Sequence, residues 1–207
     1  MPSNMSEERK QMLRLYGAEL IEVEDGKFDE AISLRDRLAE ENGWFNPNQF
    51  HNPLNIEAHY KGTAVEILHQ HTNPIAAFID GTGTGGTLMG TSRLLKMYHP
   101  HMKVVAVEPA ESPVMSGGEP GLHGIQGIGD GSKFLINLEE VDEIIVISTE
   151  EAIWRAKKLA KEQGLFVGIS SGANILAAER FLESNPNCLG NIVTILCDRG
   201  ERYLSVF

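Results

Sequence analysis

A run of five apolar residues, IAAFI (75–79), passes directly into Asp80-Gly81-Thr82-Gly83-Thr84-Gly85-Gly86-Thr87, and a helical pattern follows over 86–98. Backbone N–H groups approach an anion closely where no Cβ intervenes, and the start of a helix adds partial positive charge. The expectation is a phosphate cradle, with the hydroxyls of Thr84 and Thr87 as extra donors. Tight packing alone also places glycines at strand-to-helix turns, but this density of glycine and threonine exceeds what a turn needs. No lysine follows the glycines, so a mononucleotide P-loop is excluded.

The rest of the chain alternates in the same way. VVAVE (104–108), EIIVI (143–147) and NIVTIL (191–196) read as buried strands, and LFVGI (165–169) as extended. Helices are expected over 7–16, with Ser6 as cap, after Asp29 to Gly43, and over 57–70, 86–98, 150–163 and 171–183. A short strand is expected at AELIEV (18–23). Apolar strands that lack period-2 polarity and are separated by helices form a parallel sheet covered on both faces, so the fold class is α/β. The 207 residues carry a formal net charge of -11 with no basic cluster, which argues against a nucleic-acid partner. No apolar stretch is long enough for a membrane span. Two cysteines, Cys188 and Cys197, give no disulfide framework, and reduced thiols in the cytoplasm are expected.

Other readings of the residues stay open at this point. Gly81, Gly83 and Gly86 fit G-x-G-x-x-G, and Glu108 stands where a ribose-binding acid belongs, so NAD binding by a dehydrogenase is one alternative. Gly168-Ile169-Ser170-Ser171-Gly172 fits the G-x-S-x-G of hydrolases, but all seven histidines precede Ser170, so the required order fails. A Ser170 N-cap is the plain alternative. His69 with His71, and His99 with His101, do not share a helical face, and no metal is expected. Cys197 is expected to be an inert core thiol. Asp198 and Glu201, flanking Arg199 and Arg202, are expected to form a local ion-pair network.

Seven stretches, taken together, resemble one family: NMSEERKQMLRLYGAEL (4–20), QFHNPLN (49–55), GTGTGGT (81–87), VEPAESPV (107–114), HGIQGIG (123–129), GISSGA (168–173) and GERYLS (200–205). They are similar to the cysteine synthases, or O-acetylserine sulfhydrylases, which are pyridoxal-phosphate enzymes related to cystathionine β-synthase. The resemblance implies a fold like that of the tryptophan synthase β subunit, fold type II. It also implies synthesis of cysteine from O-acetylserine, or a related O-activated serine, and sulfide. Gly83, Thr84, Gly85, Gly86 and Thr87 would hold the cofactor phosphate, and Ser170 would meet the pyridine nitrogen. Gln49, Gln126 and Gly127 would line the amino-acid substrate. A homodimer in the full-length form is implied as well.

Three departures accompany the resemblance. The family's S-x-K-D-R segment, with its Schiff-base lysine, and its T-S-G-N-T loop are not found in this sequence. The expectation is that the chain lacks the family's N-terminal part and is inactive alone. Residues 1–52 would then be the remnant of a smaller mobile domain and 53–207 the phosphate-binding domain, with an N-terminal complementing segment as a possible partner. A non-catalytic paralogue that only binds a partner is the other alternative. Finally, Asp80 stands where the family has a small residue, and its side chain need not point inward.

Overall fold

The computed structural model describes all 207 residues. Four parallel strands form one sheet in the order β3-β2-β1-β4: β1 is Ile75–Gly81, β2 Lys103–Pro109, β3 Glu143–Ile147 and β4 Asn191–Thr194. Side chains along each strand alternate between two cores. Ala77, Ile79, Val105, Val107, Ile145 and Ile147 face α6 (Thr149–Gln163) and α7 (Ile169–Ser184). Phe78, Val104 and Ala106 face the other way, onto Leu88, Met89 and Leu95 of α5 (Gly86–Tyr98). Both faces are therefore covered, which is why the strand interiors are apolar without alternation.

The α/β class and the order of the central elements agree with the sequence reading. Several local expectations do not. The helix expected over 57–70 is two helices, α3 (Leu54–Lys61) and α4 (Thr63–Gln70), broken at Gly62 where φ is -108° and ψ -85°. Residues 18–23 form no strand. Their extended pairing is with Met1–Ser3, through Ser3 N to Val23 O at 2.9 Å and Val23 N to Met1 O at 3.0 Å, which is too little for a ladder. LFVGI likewise contributes only a single bridge, between Val167 and Arg199. α1 is Glu7–Leu15 and α2 is Phe28–Asn42, but the Ser6 hydroxyl makes no capping bond and lies buried without a partner. α7 begins at Ile169, so Ser170 lies in its first turn and Gly168 occupies the cap. Ser148 caps α6 in a reciprocal box with Glu151.

Candidate functional site

Consecutive strands β1 and β2 are neighbours, whereas β4 returns to the opposite side of β1. A crevice opens beyond the carboxyl ends of strands where the order reverses in this way. Here it is a cleft of about 600 Å³ lined from β1 by Asp80 and Gly81, from the following loop by Gly83, Thr84, Gly85 and Thr87, and from the far side by Ser170 and Cys197. Gln49, Gln126 and Gly127 line it too. Thus eight of the nine residues singled out in the sequence share one cleft. Gly86 does not line it, because a Cβ there would run into the Asn55 carboxamide, and the glycine serves to seat that side chain.

The loop is shaped by what it lacks. Gly85 adopts φ +88°, a left-handed turn that lets α5 begin at once, and as the cap residue it has no side chain to occupy the helix start. A Cβ on Gly83 would sit 2.5 Å from the Gly127 carbonyl oxygen, so the loop and the 123–131 segment touch backbone to backbone. Asn55 Nδ2 donates to Thr84 Oγ1 at 3.0 Å and to the Gln49 carbonyl at 2.9 Å, and Gly86 N donates to the same Thr84 oxygen at 3.2 Å. With both lone pairs of that hydroxyl engaged, its proton is left to donate. Thr87 Oγ1 lies 3.3 Å from His59 Nε2, and His59 Nδ1 lies 2.9 Å from Thr63 Oγ1. Burial holds His59 below the usual histidine pKa, so the ring is neutral near pH 7. The arrangement presents donors and a helix N-terminus to an anion, with a neutral positioning ring behind Thr87.

Acidic groups shape the rest of the cleft. Asp80 is 2% exposed, and burial pushes its carboxyl up to about 7. It is one of the residues lining the cleft. Asp130 is pushed up to about 6 by burial. Cys197 is not a core thiol at a strand end: β4 stops at Thr194, and Cys197 stands in the cleft wall with much of its surface open. Its backbone N–H donates to Ser171 Oγ at 2.9 Å, and loss of water around the sulfur, reinforced by the Asp80 charge, pushes the thiol up to about 12. The ion-pair network around Asp198 extends further than expected. Arg202 and Arg9 approach its carboxylate at 3.7 and 3.9 Å, and the Tyr203 hydroxyl donates to it at 2.6 Å.

His59, Asp80 and Asp130 line the cleft with no role given them by the sequence reading, and Asn55 braces the loop from outside it. A histidine four positions before a threonine within a helical pattern was a visible signal for the His59–Thr63 pair, but nothing in the sequence connects it to Thr87.

The dinucleotide alternative is overturned here. Glu108 is 2% exposed and accepts hydrogen bonds from Met115 N at 2.7 Å, Ser116 N at 2.9 Å and Ser116 Oγ at 2.5 Å, so its carboxylate folds the next loop and does not face the cleft. Residues 1–198 match the sequence profile of the pyridoxal-phosphate dependent enzymes. The chain belongs to that family. A cysteine synthase of Staphylococcus aureus is 44% identical over 213 residues, spanning 99% of this chain and 67% of the relative. A crystal structure of cysteine synthase from Entamoeba histolytica superposes with a TM-score of 0.90 at 41% identity, over 100% of this chain and 62% of that one. A hydrogen sulfide-producing enzyme from Fusobacterium nucleatum gives 0.92 at 38% identity, over 99% and 70% respectively. The chain thus spans about two thirds of the length of these relatives. The family cofactor is pyridoxal phosphate, and the fold is that of the cysteine synthases.

Proposed function

We propose that this chain carries the phosphate site and the ring-nitrogen site of a cysteine synthase-like β-replacement, which forms L-cysteine from O-acetylserine or a related O-activated serine and sulfide. The observation that carries this reading is the single cleft in which the Gly83–Thr87 loop, Ser170 and the Gln49, Gln126 and Gly127 edge converge. The residues fit the cofactor on structural grounds, because the loop ends at the N-terminus of α5, whose cap residue Gly85 has no side chain, and the Thr84 and Thr87 hydroxyls line the same cleft. Pyridoxal phosphate, when bound, supplies an electron sink for charge developing at the substrate α-carbon.

Each residue has a part in that chemistry. The Thr84 and Thr87 hydroxyls and the loop N–H groups bind the phosphate. Ser170 shares a hydrogen bond with the ring nitrogen. Gln49 orients the amino-acid carboxylate, while Gln126 and Gly127 bound the substrate side chain. The same reading assigns residues 1–52 to a mobile substrate-side domain, 53–207 to the phosphate-binding domain, and a homodimer to the full-length form. No helix is long and apolar enough to cross a membrane.

No lysine lines the cleft, so no ε-amine of these 207 residues is in place to hold the cofactor covalently or to take the substrate α-proton. We therefore propose that these residues alone turn over no substrate, and that a polypeptide bearing the family's S-x-K-D-R segment completes the site. The test is to supply pyridoxal phosphate, O-acetylserine and sulfide to the chain with and without that polypeptide, fused or in trans. Cysteine should form only in the complemented sample. Turnover by the chain alone, with one stoichiometric pyridoxyl-lysine peptide after borohydride reduction, would overturn the proposal.

A further inference from the structure

A second cleft, of about 460 Å³, lies beside the first. The two share Met5, Phe28, Gln126, Gly127, Ile128 and Asp130, so they meet at the edge that the reading above gives to the substrate side chain. Asp130 is the only ionisable side chain that lines both. Its place is fixed by backbone. Gly129 N donates to the Thr82 carbonyl at 3.0 Å and Leu135 N to the Thr84 carbonyl at 3.1 Å, which pins this segment across the glycine loop. Asp130 Oδ2 lies 3.7 Å from where a Cβ on Gly83 would stand. No hydrogen bond or salt bridge occupies this carboxyl. Burial alone acts on it, and a pKa of about 6 leaves it mainly ionised at pH 7.

The neighbouring groups are otherwise engaged. In the first cleft Asp198 is held by Tyr203, Arg9 and Arg202, and His59 lies against Thr63 and Thr87. The Asp80 carboxyl is enclosed there, Cys197 keeps its proton, and the Met1 ammonium donates to the Ile21 carbonyl. In the second cleft Asp25 accepts from Ser3 Oγ at 2.5 Å, and His123 Nε2 lies 2.9 Å from the Gly129 carbonyl oxygen. Lys27 and Asp29 stand at the start of α2.

We propose that Asp130, where the second cleft opens into the first, is the base that takes the proton of the incoming S–H nucleophile. This rests on reading the first cleft as a pyridoxal phosphate site. As the sulfur lone pair forms the bond to the substrate β-carbon, the S–H bond breaks and its proton passes to a carboxylate oxygen of Asp130. The acyloxy group leaves with the electrons of its own C–O bond. The proton then passes from Asp130 to water. A base that titrates near the working pH suits such a step.

N-(5'-phosphopyridoxyl)-L-cysteine, labelled with ¹³C at the cysteine β-carbon, puts a thiol at the reacting position and needs no lysine, since it has no aldehyde. Its ¹³C shift follows ionisation of that thiol. Bound to the 207-residue chain, the thiol should hold its proton more tightly than in the free ligand, because the Asp130 carboxylate opposes a thiolate beside it. Asp130→Asn should lower that proton affinity by on the order of tenfold. Asp130→Ser serves if the asparagine variant does not fold, and the titration of the unaltered chain needs no variant at all. A thiol that titrates in the unaltered chain as it does in free ligand, or equally with and without Asp130, would overturn the proposal. The ³¹P signal of the same sample reports on the phosphate loop separately. A shifted phosphate signal with an unaffected thiol overturns this inference alone, whereas an unshifted one overturns the reading of the cleft and this inference together.

Discussion

Residues 1–52 and 53–207 are held in place by different forces. In the first region Val23 and Phe50 are the only buried core-forming apolar side chains, and α2 buries none of its residues completely. Beyond the Phe50–Phe134 ring pair at 4.6 Å, its links to the rest of the chain include polar ones: Arg9 Nη2 donates to the Tyr203 hydroxyl at 3.0 Å, Ser205 N to Glu8 Oε1 at 2.7 Å, and Ser6 N to Gln126 Oε1 at 3.2 Å. In the second region the sheet is packed on both faces by fully buried Val, Ile, Leu, Met and Phe. A hydrogen bond is worth about 0.5–1.5 kcal/mol net, whereas a buried Leu or Phe contributes about 1.5–3 kcal/mol by transfer alone. Region 53–207 is thus a scaffold that fixes the loop at 81–87, and region 1–52 is a lightly attached cover that brings Gln49 to its edge. The comparison teaches that the Gly83–Thr87 end of the cleft is built on a packed sheet and the Gln49 end on few buried apolar side chains.

The sharpest way to break this contrast is a core truncation. Phe78→Ala should cost about 3–5 kcal/mol in urea unfolding, because Phe78 is completely enclosed against α5. A loss similar to that of a surface change would mean the sheet is not the scaffold. Next in size is the loop itself. The double change Thr84→Val with Thr87→Val should weaken pyridoxal phosphate binding at least tenfold, since each charge-assisted bond is worth about 1.5–3 kcal/mol. Calorimetric titration would show this, and unchanged affinity would place the phosphate elsewhere.

The pH dependence is smaller. Asp80 stays protonated in the fold to about 7 but loses its proton near 3.8 when unfolded. The folded chain therefore binds the extra proton, and stability falls as pH rises from 3.8 to about 7, with Asp130, at about 6, acting in the same direction. Thermal melts across this interval should slope downward, and Asp80→Asn should flatten the upper part. Least affected should be the cover: Leu38→Ala on the half-buried α2 should cost less than about 1 kcal/mol. A cost as large as that of Phe78→Ala would show that region 1–52 has a core of its own.

Much of region 53–207 was legible in the sequence because its signals are local. IAAFI, VVAVE and EIIVI are apolar without alternation, and that pattern has few explanations other than a covered parallel strand. The glycine loop was legible for the same reason, since a missing Cβ is a property of the residue itself. Region 1–52 was less so. AELIEV has the composition of a strand, yet whether it pairs depends on a neighbour that composition cannot supply. The break at Gly62 and the start of α7 at Ile169 were missed because helix ends are set by packing as much as by caps.

Sequence by itself determined the α/β class, the position of the glycine loop and the family, because periodicity, glycine placement and linked motifs are all written along the chain. Only the tertiary structure decided what faces the cleft. Glu108 turned away to hold Met115 and Ser116, Gly86 was spent on seating Asn55, and Asp80 turned inward beside Asn174, a residue 94 positions away. The physical reason is that direction is not a property of a residue. A carboxyl at the end of a strand points wherever the partners brought in by other elements leave room and hydrogen bonds for it.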